Sequence, residues 1–107
     1  MIRLMVDDER TFTHIGDHDI ARSSAAGVAW LEAHRDEVID EIWLDHDLGG
    51  DDTIMPIVDY LAEADFEGQP LDVRKIYVHS MNPIGAANVV RALARYGYNV
   101  HRVPLPD

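Results

Sequence analysis

Two short acidic runs and two histidines hold the chemistry that this 107-residue chain can offer. Asp7 and Asp8 follow the apolar run Leu4-Met5-Val6 and lead into Glu9-Arg10. Asp45, His46 and Asp47 follow Ile42-Trp43-Leu44, and Leu48 and two glycines come next. His79 follows Ile76-Tyr77-Val78 and opens the stretch His79-Ser80-Met81-Asn82. Charged groups at the end of a buried strand cannot stay in the core without partners. In open α/β sheets the carboxyl ends of the strands border a crevice, and ligands bind there. If these strands are neighbours, Asp7, Asp8, Asp45 and Asp47 come within a few ångströms of one another. Carboxylates so placed raise one another's pKa or bind a cation. An all-oxygen site suits Mg²⁺, Mn²⁺ or Ca²⁺. Asp7, Asp8 and Asp45 are therefore the candidate metal ligands. The competing reading is that they cap helices or face water.

His46 and His79 each leave a strand end. An imidazole titrates near neutrality, so two of them beside one pocket can serve as general acid and base. Asp45 and Asp47 would orient a histidine or hold the metal. Alternatively, each imidazole only hydrogen-bonds a neighbouring carboxylate. His34, inside a helical pattern, and His101, in the last strand pattern, read as structural, and the loop residues His14 and His18 are assigned no role.

The stretch H-S-M-N-P-I-G at 79–85 joins a strand to a helix start. Asn82 suits the cap and Pro83 the first helical position. The free amides and the positive dipole end of such a helix attract anions. Ser80 and Asn82 add polar groups, and Gly85 permits close approach. Asn88 and Arg10 could complete a phosphate pocket. Pure capping accounts equally well for Asn82 and Pro83 taken alone.

The elements that must position these groups alternate along the chain. Strand patterns fall at 2–6, 19–22, 42–44, 75–78 and 98–103. Residues 11–18 carry Gly16 without a helical period and read as a loop. A helix is expected over 25–39, capped by Ser23 or Ser24. Ile54, Ile57, Val58, Leu61 and Ala62 mark one face of a second helix, with Asp51, Asp52 or Thr53 as possible caps. A third begins at Pro83 and stops at Gly97. This alternation implies a parallel sheet with right-handed crossovers in a single domain, 1–107.

The composition narrows the function. The formal charge is −11, from 9 basic and 20 acidic residues. That argues against binding long nucleic acid, whose phosphates need a basic surface. A small nucleotide or an RNA-end phosphate in a local pocket is compatible with it. Without cysteine there is neither a disulfide nor a thiolate metal site. No apolar run approaches the ~20 residues of a membrane span, and Met1-Ile2-Arg3-Leu4 reads as a strand rather than a leader. No membrane partner is therefore expected, and a soluble cytoplasmic protein is.

Taken together, D-D-E-R at 7–10, L-D-H-D-L-G at 44–49 and H-S-M-N-P-I-G at 79–85 resemble the cyclic-phosphate processing receiver-like domain. That family, found in bacteria and phages, is related to the receiver domains of response regulators. The resemblance implies a flavodoxin-like three-layer fold, with a five-stranded parallel sheet in the order 2-1-3-4-5 and the first helix reduced or lost. It also implies a phosphoesterase role on cyclic or terminal phosphates of nucleotides or RNA ends, as in RNA repair, and a bacterial or phage-infected cell as the setting. Beside a receiver, Asp7 and Asp8 look like the metal-binding pair, Asp45 like the phosphate acceptor and Ser80 like the hydroxyl residue. A receiver has Lys-Pro after its last strand, whereas this chain has Val103-Pro104. Two other functions follow from the same residues: a signalling receiver phosphorylated on Asp45, and a nucleotide-binding module without turnover. A sheet with few helices leaves one face thinly covered, which suggests a homodimer.

Overall fold

The structure is a computed structural model that describes residues 2–8, 16–46, 48–79 and 83–103. Its elements are β1 (Arg3–Val6), β2 (Asp19–Ala21), α1 (Ser24–Ala33), β3 (Ile39–Asp45), α2 (Met55–Phe66), β4 (Val73–His79), α3 (Pro83–Arg95) and β5 (Val100–Arg102). All five strands are parallel, in the order β2-β1-β3-β4-β5. This is the receiver-like α/β fold that the sequence implies. The order reverses between β1 and β3, which places a switch point beside the strands carrying Asp7 and Asp45.

The pleat divides the sheet's residues between two faces. Leu4 and Val6 of β1, Ile42 and Leu44 of β3, and Ile76 and Val78 of β4 join Leu31, Ile57, Leu61, Val89 and Leu93 of the helices in one core cluster. α1 packs on α2 and α2 on α3, so the three helices form one layer. Gly27 lets α1 and α2 approach, since a Cβ there would meet Cδ1 of Ile57 at 2.5 Å. The opposite face carries fully buried Met5 with Trp43 packed against it. The Trp43 and Tyr77 rings lie tilted against each other, 4.4 Å between centroids, and the Tyr77 ring lies 6.3 Å from that of His101. No helix covers this face among the described residues.

Local boundaries show where pairing overrides pattern. The expected helix over 25–39 stops at Ala33, and His34 caps it with its ring Nδ1 2.8 Å from the Trp30 carbonyl. Val38 and Ile39 continue the apolar spacing, yet Ile39 begins β3. Its amide donates to the Asp72 carbonyl at 2.8 Å, and that of Asp40 donates to the Ile2 carbonyl at 2.8 Å. β-branched residues with partners on both sides are better placed in a central strand than in a fraying helix end. Ser23 caps α1 as expected, its Oγ accepting from Ala26.

The start of α2 differs from expectation. Ile54 occupies the cap position without a side-chain bond, although the Met55 amide donates to Thr53 Oγ1 at 3.2 Å. Asp52 turns the other way and accepts from the Ser24 amide at 2.9 Å and from Ser24 Oγ at 2.5 Å. Those bonds hold its carboxyl below the usual carboxylate range. Gly97 ends α3 at φ +87°, as its type predicts. Next to it, the Tyr98 hydroxyl donates to the Leu61 carbonyl at 2.7 Å, and burial pushes its pKa up.

Candidate functional site

The carboxyl end of the sheet gathers most of the expected site residues. Asp7 follows β1, and its amide extends the ladder by donating to the Ala21 carbonyl at 3.1 Å. Val6 is paired with Leu44 and Asp45 with His79, so Asp7, Asp45 and His79 form a row across three adjacent strands. All three are desolvated: Asp7 is 1% exposed, Asp45 9% and His79 0%. Strand alternation puts the row on the Met5–Trp43 face. A separation of 6.2 Å between the Trp43 and His79 rings agrees with that placement.

Asp8 completes a triad. One carboxylate oxygen from each of Asp7, Asp8 and Asp45 lies within 4.8 Å of the other two. Donors on opposite sides of a Mg²⁺-sized ion are about 4.2 Å apart, since each lies ~2.1 Å from the metal. The spacing and the all-oxygen donor set therefore fit a hard divalent cation. Gly49 makes room for the triad: its backbone has φ +86°, and a Cβ there would lie 2.9 Å from Asp8 Oδ2. The turn is held by Leu48 donating to the Asp52 carbonyl and Asp52 donating to the Gly49 carbonyl, both at 3.0 Å.

His46 comes one residue after Asp45 and lies on the helix side of the sheet. Its imidazole rests directly on Gly85 in the first turn of α3, where a Cβ would come within 2.8 Å of the ring Cδ2 and Nε2. Its carbonyl accepts from the Ile54 amide at 3.1 Å, which fixes the backbone that presents the ring. The sequence suggests that Gly85 admits a phosphate. In the fold, the group that Gly85 admits is the His46 ring. A methyl group at this position has no place to go unless the imidazole moves. Gly85→Ala is accordingly expected to leave the fold intact and turn His46 away from the helix start, which a shifted His46 ring resonance in NMR would register.

Asp7, Asp8, Asp45, His46, His79 and Gly85 are thus brought to one end of the sheet. Asn88 lies on α3 one turn beyond Gly85, exposed, with its Oδ1 3.5 Å from Arg91 Nη1. Arg10, Asp47, Ser80 and Asn82 lie outside the described residues. Two contributors were not legible as site residues. Gly49 reads in the sequence only as a turn residue. Arg22 follows β2 as Asp7 follows β1, a parallel that would have drawn attention to it; its Nη1 donates to the Asp7 carbonyl at 3.2 Å.

Two surface clefts lie elsewhere. One of about 540 Å³ is lined by Glu32, Arg35, Tyr60, Glu63, Ala64 and Glu67. Another of about 410 Å³ lies near the amino ends of β1 and β2, beside Arg3, His18 and His34. Neither includes a member of the strand-end cluster. Size is a weaker guide here than chemistry, because the cluster is where desolvated carboxylates, an imidazole and a helix start converge. No helix among the described residues is long and apolar enough to cross a membrane.

The sequence matches the family model of the cyclic-phosphate processing receiver domain over residues 2–95. No curated protein and no solved structure matches the chain.

Proposed function

The chain belongs to the cyclic-phosphate processing receiver family, and on that premise we propose that it is a phosphoesterase acting on cyclic or terminal phosphates of nucleotides or RNA ends. The observation that carries this reading is the His46 imidazole held on Gly85 at the start of α3, one residue from the Asp7–Asp8–Asp45 triad. An imidazole so placed can exchange a proton with a phosphate ester attracted to the helix start.

For a 2′,3′-cyclic phosphate the reaction is hydrolysis of one ring P–O bond. A water oxygen bonds to phosphorus and the ribose oxygen leaves. The proton lost by the water is made good on the leaving oxygen, giving a 2′- or 3′-phosphomonoester. His46 holds or delivers that proton. His79 has no solvent exposure and lies beside Asp45 in the row, so it acts on the carboxylates rather than on substrate. Arg10, Ser80 and Asn82 keep the phosphate-holding role that their sequence positions give them, and Asp47 keeps its role of orienting a histidine or holding the metal. Asp7, Asp8 and Asp45 would hold Mg²⁺ or Mn²⁺, which when bound supplies charge neutralisation at phosphate oxygens.

Incubation with a panel of nucleoside 2′,3′-cyclic phosphates and a cyclic-ended RNA, with Mg²⁺ or Mn²⁺, tests the reading. Ring-opened products, seen by mass, are expected; their absence across the panel rejects it. The triad makes a second prediction. Three carboxylates crowded at a desolvated end repel one another without a cation. Asp45→Asn is therefore expected to raise the melting temperature in chelator and to abolish the stabilisation that Mn²⁺ gives the parent protein. Equal Mn²⁺ stabilisation of both proteins would remove Asp45 from the metal site.

A signalling receiver is the second reading, favoured by the position of Asp45 within the triad. Against it stands Val103, whose amide pairs with the Val78 carbonyl at 3.0 Å at the place where a receiver carries lysine. Treatment with acetyl phosphate and Mg²⁺ is expected to leave the intact mass unchanged. An added phosphoryl mass, lost in Asp45→Asn, would establish the receiver instead.

A further inference from the structure

We propose that Arg102 binds the substrate's phosphate from the helix face of the sheet, at the end of β5. The inference rests on the phosphoesterase reading for its substrate but not for its geometry. Arg102 is the last residue of β5 and is paired with Val78, the residue before His79. The next amide, of Val103, bonds the Val78 carbonyl, so the end of β5 is fixed against the end of β4. Val78 belongs to the core cluster on the helix face, and residues paired in a parallel sheet share a face. Arg102 is therefore carried to the side of the sheet on which His46 lies over Gly85. α3 packs along β5, and because it follows β4 it starts at this same end.

The charge arrangement supports the assignment. Arg102 is exposed, and among the described residues no hydrogen bond or ion pair engages its guanidinium. In a chain with 20 acidic and 9 basic residues, a cation with no carboxylate partner among the described residues, at the edge of a candidate phosphate site, is suited to an anionic ligand. Among the described residues at this end, Arg22 already donates to the Asp7 carbonyl. Arginine suits the task, since its planar fork of donors matches phosphate oxygens two at a time. β5 is the edge strand beyond β4, so an arginine at its end would meet the phosphate from the β5 side, away from the acidic triad on β1 and β3.

Arg102→Ala, Arg102→Lys and a control, Arg95→Ala, test this by two independent readouts. The first is binding of inorganic phosphate and of adenosine 3′-monophosphate, followed by calorimetry and needing no turnover. The second is hydrolysis of adenosine 2′,3′-cyclic phosphate. Loss of one charge-assisted contact is expected to weaken phosphate binding about tenfold or more in Arg102→Ala, with Arg102→Lys recovering part of it and Arg95→Ala unchanged. In hydrolysis, KM is expected to rise with kcat nearly preserved, and the parent's binding to weaken more with salt than the variant's. Hydrolysis and binding unchanged in Arg102→Ala overturn the inference and leave the phosphoesterase reading standing. Phosphate binding lost in Arg102→Ala by a parent that hydrolyses nothing upholds the inference and rejects that reading. A parent that binds neither phosphate probe overturns the inference outright.

Discussion

His46→Ala is expected to lower hydrolysis of a 2′,3′-cyclic phosphate by about 10²- to 10⁴-fold, the usual contribution of a positioned general acid or base. The loss should fall on kcat, because in the proposed mechanism the imidazole acts on the travelling proton and not on the resting ester. The fold should survive, since the ring is only half-buried and rests on a glycine rather than inside the core. Far-UV circular dichroism and a melting temperature close to the parent's are the controls. Undiminished turnover in His46→Ala would mean that the ring is only a packing group, and the mechanism would fall with it. His79→Ala is a poorer probe, because a wholly buried side chain takes stability with it when removed.

The largest effect on stability is expected at Ile42. It lies in the middle of the sheet, paired with Leu4 on one side and Ile76 on the other, and it has no exposure to solvent. Ile42→Ala removes buried methyl and methylene groups from a site with strands on both flanks and helices above, where little can collapse into the gap. A cost of about 2–5 kcal/mol follows, out of the ~5–15 kcal/mol that holds a domain of this size together. Urea unfolding is the measurement: the midpoint should fall with the slope unchanged. A midpoint within error of the parent's would show that the centre of the sheet is less well packed than the burial of Ile42 implies.

Much of this fold is legible because a few residues speak without ambiguity. The apolar triplets Leu4-Met5-Val6, Ile42-Trp43-Leu44 and Ile76-Tyr77-Val78 mark strands wherever they are placed. Pro83 and Gly97 bracket a helix by backbone chemistry alone. Residues 34–41 are harder, because Val38 and Ile39 satisfy a helical period and a strand equally. The decision between them comes from Asp72 and Ile2, which are distant in sequence. The capping aspartate at 52 is illegible for the same reason. Its type announces a cap, but its partner is Ser24, 28 residues back.

The site divides along the same line. Asp7, Asp8, Asp45, His46 and His79 can be named because each ends an apolar run, and position along a strand is a local property. Which residue touches which is not local. Nothing in the spelling of Gly85 says that it receives a histidine, and nothing in that of Gly49 says that Asp8 lies against it. Both contacts arise from how a loop returns over the sheet.

The pairing of β1 with β3 has a consequence for how the molecule is born. Leu4 waits for Ile42, 38 residues later, and the order of synthesis leaves β1 with no neighbour on that side until β3 has been made. Closing so long a span is entropically unfavourable and slow, and the parallel arrangement offers no hairpin to shorten it. The three carboxylates come together only when that closure is complete. A fragment that ends before residue 45 carries Asp7 and Asp8 but lacks the third member of their cluster. The growing chain therefore cannot assemble the carboxylate triad until its central sheet exists.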